Sequence, residues 1–231
     1  MVKKEDGGGI DYAVYIIAIF LISLLVYFLV YQQRLIVVKE ELINGLQICE
    51  SHVLTFAQPE DGANSNIADE RERNRSHIIT NYVNEEGLPT VDELSQIRMI
   101  SLEFERRIKE RFNLDERGIP HNNTLAQLCA GELSISSFYI YEAVYDSRRE
   151  ITNYICYEIN IADGTCSCIS KKIVPLDATI NGRPLRGSLI YATLDYHLLG
   201  PRKLAEESIE TNDRYLVSVE SCVDIVLHKN Y

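Results

Sequence analysis

The chain has 231 residues, with 34 acidic against 23 basic side chains and a formal net charge of −11. That balance excludes a nucleic-acid binder, because holding phosphates takes a basic face. With one apolar run set aside, about 190 residues remain, enough for one or two domains. Trp is absent, Met occurs twice, and the 14 tyrosines concentrate after residue 138, which favours strands there.

Residues 1–9, MVKKEDGGG, read as a charged leader ending in Gly7, Gly8 and Gly9. Glycine leaves the peptide bonds there unhindered. Asp11 follows, where a carboxylate at a helix N-terminus is favourable with the helix dipole. From Tyr12 to Gln33 no residue is charged. As a helix this run spans roughly 33 Å, against about 30 Å for the hydrocarbon core of a bilayer. It is apolar around its whole circumference, as lipid requires. Tyr12 and Tyr15 near one end, and Tyr27 and Tyr31 near the other, match the two interfaces. The run is too long for a secretory signal, and no small-x-small cleavage site follows it. Membrane lipid is therefore the first expected partner. Lys3 and Lys4 before the run nearly balance Arg34 and Lys39 after it. The short tail and long following domain favour a single-pass protein with a cytoplasmic N-terminus and an extracytoplasmic C-terminal domain.

Past the membrane, Leu35, Val38, Leu42, Leu46, Cys49 and Val53 recur at steps of three or four. The helix therefore continues with an amphipathic part, making one helix of about 45 residues that starts in lipid and projects out of it. Gly45 marks a slight bend, and the helix ends before Pro59. Gln58 to Asn66 reads as a loop and Ile67 to Val83 as a short surface helix. After Pro89, Thr90 and Glu93 form a capping box. The helix they open runs to about Asn113, with Leu94, Ile97, Phe104, Ile108 and Phe112 on one face. Its charges form a solvated face, not a binding patch. Gly118 and Pro120 close the helical part.

From Leu133 the period becomes two. Leu133–Tyr145, Ile151–Ile161, a segment carrying Cys166 and Cys168, Leu189–Leu198 and Tyr215–His228 read as half-buried strands of an antiparallel sheet. Turns are expected at residues 146–149, 162–164, 180–183 and 200–201. The expected fold is α+β, organised as a leader (1–9), a transmembrane and projecting helix (10–57), a helical segment (58–120) and a sheet domain (121–231).

Six cysteines allow 15 pairings. If the sheet domain is extracytoplasmic, at least two of Cys156, Cys166, Cys168 and Cys222 are expected to be joined. Cys166 and Cys168 lack zinc-site spacing, so no metal is expected. The five histidines are scattered and read as surface or sheet residues. The sequons at Asn74 and Asn122 matter only in a glycosylating pathway. There is no phosphate-binding glycine loop, His-Glu-x-x-His or G-x-S-x-G. The chain accordingly reads as a non-enzyme without a cofactor.

A short basic leader, glycine, an acid, and a long apolar helix that continues out of the membrane together resemble a type IV pilin-like precursor. The Asp11-Tyr12 pair is similar to the Glu-Tyr or Glu-Phe pair of Tad (tight adherence) pseudopilins of the TadE type. The HLLGPRKL stretch before the last strand also looks like the sheet end of TadE-like proteins. The chain differs in carrying Asp where the family has Glu. The resemblance implies a structural minor pilin or pseudopilin that assembles with pilin-like subunits or copies of itself. It also implies processing by a prepilin peptidase at the glycines and pairing of Asp11 with a neighbour's freed amine. The alternative is a membrane-anchored extracytoplasmic sensing or binding domain with the helix as stalk. An anchored enzyme has no constellation to support it.

A cytoplasm-dependent reporter fused to the C-terminus is expected to stay silent in cells. Strong activity would place the domain on the opposite side of the membrane.

Overall fold

A computed structural model describes residues 7–57, 77–121, 125, 131–148, 150–162, 165–199 and 214–225. The expected loop 58–66, most of the expected helix 67–83, Cys129, His228, both sequons and the turn at 200–201 lie outside the described residues. So do residues 1–6 of the expected leader.

The first element, α1 (Gly7–Ala57), is one helix of 51 residues. Gly7, Gly8 and Gly9 are part of it. The chain divides into two compact units, Met1–Glu41 and Leu42–Tyr231, and α1 runs from one into the other. In the first unit, every residue from Tyr12 to Val30 except Ala18 is exposed. This helix is long and apolar enough to cross a membrane.

Among its described residues the second unit contains the rest of α1, a second helix α2 (Val91–Phe112) and seven strands. These are β1 (Ser134–Tyr145), β2 (Ile151–Ala162), β3 (Thr165–Val174), β4 (Thr179–Ile180), β5 (Arg183–Pro184), β6 (Leu189–Leu199) and β7 (Arg214–Asp224). Five form one antiparallel sheet in the order β3-β2-β1-β6-β7. The small β4–β5 hairpin turns at Asn181 and Gly182, both at positive φ, within the turn expected at 180–183. The arrangement is α+β, as the change of period predicts.

The register sorts the side chains. Phe138, Ile140 and Glu142 of β1 lie beside Ile159, Tyr157 and Ile155 of β2, and Phe138 and Ile140 beside Ala192 and Ile190 of β6. These share the face covered by helices: Phe138 stacks on Phe104 of α2 with ring centroids 4.6 Å apart. On the opposite face, Ala143, Tyr154, Leu185 and Leu189 form a second core cluster under the β4–β5 hairpin. Both faces are thus at least partly covered, which is why the alternation in β1 and β2 is less regular than a half-exposed sheet would give.

The capping box is present: the Glu93 amide donates to the Thr90 hydroxyl and the Glu93 carboxylate accepts from the Thr90 amide. The buried face of α2 is Glu93, Ile97, Ile100, Ser101, Phe104, Ile108 and Phe112. Leu94, expected on this face, is 41% exposed, and Ile100 takes its place. Over residues 77–83 the expected helix is absent; the backbone is irregular, with Ile78 and Ile79 buried.

Leu42, Leu46, Cys49 and Val53 are buried as their spacing predicts. Each such aliphatic side chain contributes roughly 1.5–3 kcal/mol. Gly45 has a different role from the expected bend. A Cβ there would come within 2.5 Å of Cζ of the buried Phe112 ring, so glycine permits α1 and α2 to approach.

Gly45→Ala gains about 1 kcal/mol of helix propensity but forces the Phe112 ring to move. Overpacking of this kind costs typically 1–3 kcal/mol. Chemical denaturation of the full chain in detergent should therefore show net destabilisation. A stabilised variant would contradict the close packing.

Candidate functional site

The polar chemistry in the second unit gathers at two buried glutamates that hold the segment between α1 and α2. Glu93 is fully buried and its Oε1 accepts three hydrogen bonds: from Lys171 Nζ (2.8 Å), the Tyr157 hydroxyl (2.7 Å) and the Val83 amide (2.9 Å). Its Oε2 accepts from the Thr90 amide at 2.6 Å. Burial alone would raise this carboxyl, but Lys171, the two amides and Tyr157 together bring it down to about 2. Lys171 is nearly as buried as its partner. Burial and the neighbouring Glu93 push the Tyr157 phenol well above its ordinary range.

Glu142, also fully buried, is the second hub. Its Oε1 accepts from His77 Nδ1 (2.6 Å) and the Ser188 hydroxyl (2.9 Å), and its Oε2 from the amides of Ile78 and Ile79 at 2.8 and 2.9 Å. Between the hubs, Gln96 accepts from the Thr80 amide and donates to the Thr80 hydroxyl. Five backbone N–H groups of residues 77–90 thus end on side chains of α2 or β1, where no regular ladder is available to satisfy them.

Ser188, Glu142 and His77 include the residue types of a hydrolytic triad, but the connectivity differs. In a triad the imidazole stands between hydroxyl and carboxylate. Here the serine donates to the carboxylate directly, beside the histidine. The arrangement ties the 77–79 backbone to β1 and to Ser188.

The sequence placed His77 on the surface or in the sheet; it stands in the irregular segment, packed between the rings of Tyr82 and Tyr145. Glu93 was recognised only as a cap. Glu142 shares its parity with Phe138 and Ile140, and that inward position was a legible signal for a buried acid. The partner Lys171, next to Lys172 in β3, carried none.

The expected assembly residues Gly7, Gly8, Gly9, Asp11 and Tyr12 all lie in α1. Tyr12 is 74% exposed.

Cys49, Cys156, Cys166, Cys168 and Cys222 are free thiols. The register separates two of the expected partners. Cys156 of β2 and Cys222 of β7 share the hairpin-covered face but are separated by β1 and β6, roughly 14 Å of sheet. Bridging needs Cα atoms within about 7 Å. Cys166 and Cys168 of β3 lie on the other face, opposite Ile161 and Ile159. Burial pushes Cys49, Cys156, Cys168 and Cys222 up to about 11, so these thiols stay protonated at neutral pH.

Among the described residues no group of three or more His, Cys, Asp or Glu is placed to hold a metal ion. A cleft of about 480 Å³ lies between the hairpin and β6–β7, rimmed by Arg183, Arg186, Glu220 and Asp224. Two cations and two carboxylates leave it no net charge with which to select a ligand. Comparison with known protein families, curated proteins and solved structures finds no match to this chain.

Removing the Lys171 ammonium strands a buried carboxylate. Lys171→Met should therefore destabilise the domain by about 3–5 kcal/mol, and Glu93→Gln in the same chain should restore part of the loss. Unfolded, Glu93 titrates near 4.5; folded, it titrates near 2. Its stabilisation is complete above about pH 5 and fades as pH falls toward 2. Denaturation midpoints between pH 7 and pH 2 should show this fall in the wild type and a shallower one in Glu93→Gln.

Proposed function

We propose that this chain is a non-catalytic, membrane-anchored assembly subunit, a TadE-like minor pilin or pseudopilin of a Tad-type pilus or related secretion or adhesion apparatus. The observation that carries the reading is the division of labour along α1. One unbroken helix is apolar and exposed on all sides from Tyr12 to Val30, and from Leu42 onward it buries a stripe inside an α+β domain. A plain anchor needs only the first part. A subunit that packs its helix beside those of its neighbours uses both, since lipid-side packing joins the copies and the buried stripe ties each helix to its own domain.

In this reading the chain is single-pass, with residues 1–6 in the cytoplasm and the second unit outside it, on the cell membrane or in a surface pilus. A prepilin peptidase acts in the Gly7–Gly9 segment. Asp11 pairs with a freed amine of an adjoining subunit, because a lone carboxylate in lipid is costly. The buried carboxylates of Glu93 and Glu142 support the non-catalytic part of the reading, each being engaged in holding backbone amides. A second reading, an anchored sensing or binding domain, is favoured by the cleft beside the hairpin, whose size falls in the ligand-site range.

Asp11→Asn should leave the protein folded and inserted while abolishing its recovery with other pilin-like subunits from sheared surface material or detergent extracts. In a packed assembly the loss of one charge partner costs about 3–5 kcal/mol; in a plain anchor the change is worth about 1 kcal/mol or less. Replacing Gly7, Gly8 and Gly9 with bulky residues should have the same effect through processing. Undiminished co-purification of both variants would favour the anchored binding domain.

A further inference from the structure

Among its described residues the second unit contains three fully buried glutamates, and they are not equivalent. Glu93 and Glu142 each accept four hydrogen bonds. Glu50, on α1 and seventeen residues past Gln33, has a single side-chain partner among the described residues: the Ser221 hydroxyl of β7 donates to its Oε2 at 2.7 Å. Its Oε1 is buried with no hydrogen-bond partner. Asp195 Oδ1 is the other such atom among the described residues, but Asp195 itself is part-exposed.

No cation forms an ion pair with Glu50 among the described residues. The groups around it come from four elements. On β7 they are Ser221, with Cys222 on the opposite face of the strand and Asp224 exposed. On β6 the neighbour is Ala192, paired with Ser221 and carrying no charge. On α1 they are Cys49 and the exposed His52. On α2, Arg107, Glu110 and Arg111 act on Cys49, and none of them figures among the influences on Glu50.

An ionised carboxylate in this place would be buried, unpaired and half-unbonded, an arrangement proteins avoid by neutralising the group. We propose that Glu50 is a proton-operated latch between the end of α1 and the sheet: protonated, it lets Leu42–Ala57 seat; ionised, it drives that segment off. The free Oε1 is the oxygen available to carry the proton, Oε2 being engaged by Ser221. Burial pushes the carboxyl up to about 8, opposed by the Ser221 hydroxyl and the Ala192 amide. The sign follows: a raised acid favours the seated state below the unfolded value near 4.5, and that preference declines as pH rises toward 8. Because the moving segment is continuous with the apolar run, the latch would couple external pH to the attachment of the domain to its anchor. This inference stands apart from the pilin reading.

Cys49, buried beside Glu50, reports seating. The full chain in detergent micelles is alkylated with iodoacetamide from pH 6 to 10, and the rate at Cys49 is read by mass from its peptide. Dividing the wild-type rate by that of Glu50→Gln at each pH largely cancels the ionisation of the thiol. The residual effect runs the other way, since the Glu50 charge raises the Cys49 thiol. The ratio should be near one at pH 6 and at least tenfold higher at pH 10. A ratio that stays flat or falls below one overturns the latch, as does a Gln variant whose Cys49 is open at pH 6. In a second variant, Ser221→Ala, loss of the hydroxyl that favours the ionised form should move the onset of fast labelling to higher pH. An unchanged or lowered onset overturns the proposal.

Discussion

Glu93 Oε1 lies at hydrogen-bonding distance from an ammonium, a phenol and a backbone amide contributed by β3, β2 and the segment before α2. None of these donors could be buried alone without a penalty. Lys171 in particular occupies a strand position facing the helices, where an aliphatic residue would be expected. The carboxylate makes the position tolerable, and in return α2 is held at one place on the sheet edge. The same edge is stitched again where the Gly87 amide donates to the Lys171 carbonyl. An outer strand with open backbone groups is an association hazard, and here the 77–90 segment covers part of it.

The Glu142 network performs the matching task at the other end of that segment. Its four donors come from His77, two successive amides and a serine beyond the β4–β5 hairpin. Irregular backbone can be buried only where something satisfies it, and two carboxylates with a glutamine supply that in place of a ladder. The Glu50 site breaks this pattern. Its helix is held chiefly by Leu42, Leu46 and Val53 and by the fit of Gly45 against Phe112. Attachment of α1 therefore rests on apolar packing with one acid whose charge opposes it.

The two faces of the sheet explain the state of the cysteines. Strand parity sends Cys166 and Cys168 toward the helices and Cys156 and Cys222 toward the hairpin, with two strands between the latter pair. Six cysteines allow many pairings, but only strand order determines which residues stand side by side. β6 returns beside β1, not beside β3, which puts β7 at the far edge and Cys222 out of reach.

Local physics was enough to read most of the architecture. The uncharged Tyr12–Gln33 run, the stripe ending at Val53, the Thr90–Glu93 box and the period-two segments each depend on neighbours within a few residues, so their signals survive in one dimension. The four strands with expected limits, β1, β2, β6 and β7, begin within one residue of them for that reason. What stayed hidden depends on residues far apart in the chain: the Glu93–Lys171 pair, Glu142 with Ser188, Glu50 with Ser221, and the packing of Gly45 on Phe112. A buried acid is written in the same letter as a solvated one. The donors that distinguish Glu93 and Glu142 from Glu50 are brought to them only by the order of the strands and the docking of the two helices.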